Sequence, residues 1–85
     1  MSFEAVLENY RNQIDTLDFE IIYLLSRRFQ IVKEIGNIKK EANIEPYQPD
    51  RWEALMKKLL EESADKWVDK KLVEDIWKLI HTEAL

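Results

Sequence analysis

The sequence predicts an all-α fold: three helices, the first so long that it needs a partner chain to cover it. Three observations carry this. One glycine and two prolines in 85 residues leave room for very few turns. Residues 3–42 contain no helix breaker except Gly36 and keep their apolar residues at heptad spacing. Cysteine is absent and His81 is the only histidine, so neither a disulfide nor a zinc site is expected to support so small a fold. A partner chain is the remaining support.

The 85 residues read as one domain. The net charge of −4 argues against a broad basic surface for nucleic acid. No apolar run approaches the ~20 residues of a membrane span. The start, Met1-Ser2-Phe3-Glu4, has no basic region before an apolar stretch, so no signal peptide is expected and a cytoplasmic location is the default.

The first helix is expected over about residues 3–42. Leu7, Ile14, Ile21 and Ile35 occupy one seam position, and Tyr10, Leu17, Leu24, Ile31 and Ile38 the other. At 1.5 Å per residue such a helix is a rod of roughly 55 Å, longer than an 85-residue monomer can cover. Two rods packed side by side would cover each other. The run Asn43–Pro49 is a loop whose prolines stop one helix and start the next. The second helix is expected over 49–63, with Trp52, Leu55, Met56, Leu59 and Leu60 as its apolar stripe. The third is expected over 69–85, capped by Asp69 and stapled by Val68 and Val73, with Leu72, Val73, Ile76, Trp77, Ile80 and Ala84 as its buried face.

One residue breaks the seam. Arg28 stands where the heptad calls for an apolar side chain, with Ile21 and Ile35 one heptad to either side. A guanidinium there is costly unless an anion meets it. That anion is either a glutamate of another helix or a bound ligand. Lys39 lies eleven residues on, within about 20° of the same helix face and roughly 16 Å along the axis. A small anion could lie between the two, above Val32 and Ile35. Taken alone, a lysine near a helix C-terminus, as Lys39 is, is more often a favourable partner for the helix dipole in solvent. Arg11 is about 100° round the helix from Arg28 and some 25 Å away, so one chain cannot readily bring both to one ligand. Two antiparallel first helices could. Arg51 opens the second helix, and by itself reads as a surface arginine.

These runs resemble the all-helical chorismate mutase family. Arg11-Asn-Gln-Ile-Asp-Thr-Leu-Asp18 resembles its opening, and Leu24-Leu-Ser-Arg-Arg28 and Val32-Lys-Glu-Ile-Gly36-Asn-Ile-Lys39 continue it. Tyr47-Gln-Pro-Asp-Arg51 and Ile76-Trp-Lys-Leu-Ile-His81 follow in order and spacing. The resemblance implies an intertwined homodimer with two pockets, each built mostly from one chain and closed by an arginine of the other. Arg11 matches that crossing arginine. Arg28 and Arg51 match the cations that hold the substrate's carboxylates, and Lys39 the donor to its ether oxygen. The implied reaction is the rearrangement of chorismate to prephenate in aromatic amino-acid biosynthesis, without metal or cofactor.

The match also has departures. Trp52 stands where the family usually has a glutamate that binds the substrate hydroxyl. Gln48 replaces a common aspartate, and Ala84 a small hydroxyl residue. A second ether-oxygen donor of many members would lie about one turn beyond Leu85, and His81 is a candidate for the pocket mouth. Val32, Ile35, Gln48, Trp52, His81 and Ala84 are thus expected to line the site with the four cations. The departures leave open relatives that act on isochorismate as pyruvate lyases or that rearrange 4-amino-4-deoxychorismate. A non-catalytic regulatory or dimerising module is also open.

Overall fold

The structure is a computed structural model that describes residues 2–45 and 47–84. It contains α1 (Phe3–Glu41), α2 (Pro49–Ser63) and α3 (Lys70–Ala84), and no strand among the described residues. The expected all-α class is the observed one. Leu85, placed in the third helix from sequence, lies outside the described residues.

Each helix end has a local cause. Ser2 caps α1: its Oγ accepts from the Ala5 N–H at 3.1 Å and its carbonyl from the Val6 N–H at 3.2 Å. At the other end Asn43 adopts the left-handed conformation, with φ 56°. The Ile44 N–H then reaches the Lys39 carbonyl (2.8 Å) and the Asn43 N–H the Lys40 carbonyl (3.4 Å). That pair of reversed bonds is a Schellman motif, with asparagine in the position glycine usually takes. Pro49 begins α2 at a site where its missing N–H costs nothing. Lys66 ends it, donating to the Glu62 carbonyl at 2.7 Å and to its carboxylate at 2.9 Å. Asp69 caps α3 as expected, its Oδ2 accepting from the Lys71 N–H at 3.2 Å.

The chain divides into two compact units, Met1–Glu34 and Ile35–Leu85. In the first, α1 stands without a core of its own. Both seams are exposed, from Leu7, Ile14 and Ile21 on one to Tyr10, Leu17 and Leu24 on the other. Leu25, Arg28, Phe29 and Val32 are half-buried, and no residue of α1 is buried. The exposed apolar stripe runs from Leu7 to Leu24 along this part of α1.

In the second unit α2 and α3 pack on each other. Val73 is the buried centre, 2% exposed. Trp52, Leu55, Met56, Leu59 and Leu60 of α2 are half-buried, as are Trp77, Ile80, His81 and Ala84 of α3. Two members of the expected α3 face fall outside this contact. Leu72 and Ile76 are exposed, and they line up with the exposed Leu79 at one-turn spacing. The cause is geometric: one neighbouring helix covers one stripe, and α3 carries two. The α2–α3 connection holds Trp67 fully exposed in the left-handed region, at φ 61°.

Candidate functional site

Arg28 and Val32 belong to the first unit, on half-buried positions of α1 one turn apart. Arg28 makes no hydrogen bond or ion pair among the described residues. Lys66 pairs with Glu62 and Asp65, and Lys71 with Asp75, all with exposed side chains. A guanidinium removed in part from water is costly while no counter-charge meets it. Arg11 is exposed on the same helix, and Arg27, beside Arg28, is exposed and donates to the Tyr23 hydroxyl at 3.4 Å.

Lys39 and Ile35 belong to the second unit. Lys39 is half-buried in the last turn of α1, where its charge complements the helix dipole. Its own carbonyl is the acceptor of the Schellman bond, so the backbone that carries the ammonium is fixed from both sides.

The junction before α2 builds the second cationic element. Gln48 is extended, at φ −122° and ψ 101°, and its carbonyl accepts from the Arg51 and Trp52 N–H groups, each at 3.1 Å. The Gln48 side chain makes no capping bond. An open groove of about 440 Å³ runs along Tyr47, Gln48, Pro49, Asp50 and Arg51. It brings together the amide of Gln48 and the guanidinium of Arg51, with the Asp50 carboxylate as an opposing charge among the described residues. A second depression, along Lys58, Leu59, Glu61 and Glu62, sets one cation against two carboxylates and does not suit a dianion.

Trp52 and His81, both expected at the site, meet each other. Their ring centroids are 4.7 Å apart, with planes inclined at 42°. His81 also meets Tyr47, at 5.4 Å and 57°. Ala84 is half-buried one turn on. Sequence reasoning took Tyr47 only as the first residue of the Tyr47–Arg51 run and not as a site residue.

The model of the chorismate mutase type II family matches residues 10–85. Among curated proteins, the T-protein of Haemophilus influenzae is 30% identical over 84 residues, which are 99% of this chain and 22% of that protein. The T-protein of Enterobacter agglomerans is 29% identical over 80 residues, 94% of this chain and 21% of that one. A bifunctional chorismate mutase/prephenate dehydratase of Aquifex aeolicus is 39% identical over 54 residues, 64% of this chain and 15% of that one. The chain thus spans about a fifth or less of the length of these relatives. No solved structure matches significantly.

Proposed function

The chain belongs to the chorismate mutase type II family, and from that premise we propose that it converts chorismate to prephenate as one helical domain that works as a homodimer. The observation that carries the reading is Arg28: a half-buried guanidinium in an apolar seam, without a carboxylate among the described residues.

The rearrangement is intramolecular. The ether C–O bond breaks as a C–C bond forms, so a site acts by holding the reactive conformer and by placing positive charge where the ether oxygen gains negative charge. In this reading Arg28 and Arg51 bind the two carboxylates, for which a planar fork is well shaped. Lys39 donates to the ether oxygen. Arg11 enters the pocket of the partner chain. Gln48 adds a neutral donor or acceptor, and Val32 and Ile35 form an apolar floor. The exposed double seam of α1 supports the dimer, because a second copy of the same stripe would cover it. The name of the Aquifex relative couples a chorismate mutase with a prephenate dehydratase, which supports this reading.

One observation keeps a second reading in view. The Trp52 side chain is engaged by His81 and offers no group for a ring hydroxyl comparable to a carboxylate. A site without that hydrogen bond discriminates weakly among ring substituents. The purified chain is therefore tested on chorismate, isochorismate and 4-amino-4-deoxychorismate, with products identified by mass. Prephenate from chorismate as the fastest reaction is the expected result. Pyruvate from isochorismate as the dominant product would transfer the reading to the lyase. Turnover of none would favour a ligand-binding module.

A further inference from the structure

The start of α2 is thinly tied. Its N-cap residue, Gln48, makes no side-chain capping bond, and the first turn is held by the Arg51 and Trp52 N–H groups on the Gln48 carbonyl and by the fixed φ of Pro49. Yet this turn presents Gln48 and Arg51 to the open groove.

The aromatic residues supply the missing tie. Tyr47 immediately precedes the Gln48–Arg51 segment and Trp52 immediately follows it. Both rings meet the same imidazole, His81 of α3, at centroid distances of 5.4 and 4.7 Å and at tilts of 57° and 42°. These values lie in the range where tilted ring pairs attract. His81 stands two turns beyond Val73, the most buried residue of the α2–α3 contact. A ring anchored to that helix pair and touching both ends of a four-residue segment restrains the segment against sliding and against fraying.

We infer that His81 is a positioning residue: its ring clamps Tyr47 and Trp52, and so fixes where the intervening turn presents the Arg51 guanidinium. The inference rests on the proposed role of Arg51 as a carboxylate-binding group. It assigns His81 a function through ring contact, so phenylalanine can replace it and alanine cannot. Because Arg51 contacts a carboxylate that persists throughout the reaction, loss of the clamp weakens ground state and transition state alike. KM rises and kcat is kept.

The test uses the full chain in its native assembly and has a readout independent of turnover. Amide hydrogen exchange is followed by NMR in the parent, His81→Ala, His81→Phe and Tyr47→Ala. Exchange at the Arg51 and Trp52 amides is expected to accelerate about tenfold in His81→Ala, the scale set by losing ring contacts of this kind. It accelerates less in Tyr47→Ala and returns to the parent rate in His81→Phe, while the Leu59 and Leu60 amides of the same helix keep their rates throughout. The KM for chorismate rises in His81→Ala and recovers in His81→Phe. Unchanged Arg51 and Trp52 amides overturn the clamp, and so does equal acceleration at Leu59 and Leu60, which would make His81 an ordinary packing residue. Accelerated amides with an unchanged KM overturn the link to Arg51. If His81→Ala does not fold, Tyr47→Ala decides, since Tyr47 is half exposed and outside the α2–α3 contact. A parent that turns over no substrate but shows the expected amide pattern supports the clamp and removes the mutase reading.

Discussion

The Ile44 N–H donates to the carbonyl of Lys39 at 2.8 Å, so the turn that ends α1 is closed on the residue proposed to act on the ether oxygen. The closure depends on Asn43, whose φ of 56° lies where most side chains meet their own backbone. Asn43→Gly is expected to keep the stability of the parent. Asn43→Val should cost ~1–2 kcal/mol, because a β-branched residue is strained in that region. Urea unfolding measures both. Equal midpoints for the two variants would show that the motif contributes nothing.

Arg28 was legible in the sequence because the heptad set an expectation that it broke. Arg28→Met is expected to abolish substrate binding while leaving the protein as stable as before or more so, since a desolvated charge is removed from an apolar seam. Thermal unfolding and calorimetric titration separate the two effects. A large loss of stability would make Arg28 a member of a structural ion pair across the proposed dimer instead.

The proposed sharing of the site, with Arg11 supplied by a second copy of the chain, predicts complementation. Chains carrying Arg11→Ala and chains carrying Arg28→Ala should each be inactive alone. Mixed after unfolding and refolding together, they should regain one intact pocket per heterodimer, measured as chorismate turnover. Absence of recovery, with heterodimers verified by mass, would place Arg11 outside the site.

Lys66 gives a pH prediction at the α2 terminus. Its ammonium, 2.9 Å from the Glu62 carboxylate, holds the Glu62 pKa below its ordinary value of 4.5, through the hydrogen bond first and the charge second. A lowered pKa in the folded state stabilises the fold above the unfolded value, and that contribution is lost as pH falls below 4.5 through the folded value. Both groups are exposed, so the contribution is small. NMR titration should show the Glu62 carboxyl returning to its ordinary range in Lys66→Met. An unchanged titration would mean that the pair does not persist in solution.

Helix identity was legible because it is local. The heptad run announced α1, Pro49 opened α2, and Asp69 capped α3 as its chemistry requires. What depends on a neighbour was not. Leu72 and Ile76 carry the same periodic signal as Val73 and Trp77, and only the placement of α2 decides which stripe is covered. The Asn43 motif was visible only as a loop start, because left-handed φ is a property of the closed turn. The clamp joins residues 29 and 34 positions apart, His81 with Trp52 and with Tyr47, and no spacing rule within a helix reaches that far.

The most direct measurement is the loss of chorismate absorbance on adding the purified chain, run beside Lys39→Ala, with the product identified by mass and by acid conversion to phenylpyruvate. The account predicts prephenate from the parent and a variant slower by ~10²–10³, the usual consequence of removing one donor to a developing oxyanion. No prephenate from the parent would contradict the proposed activity. An unchanged rate in Lys39→Ala would contradict the assignment of the ether-oxygen donor.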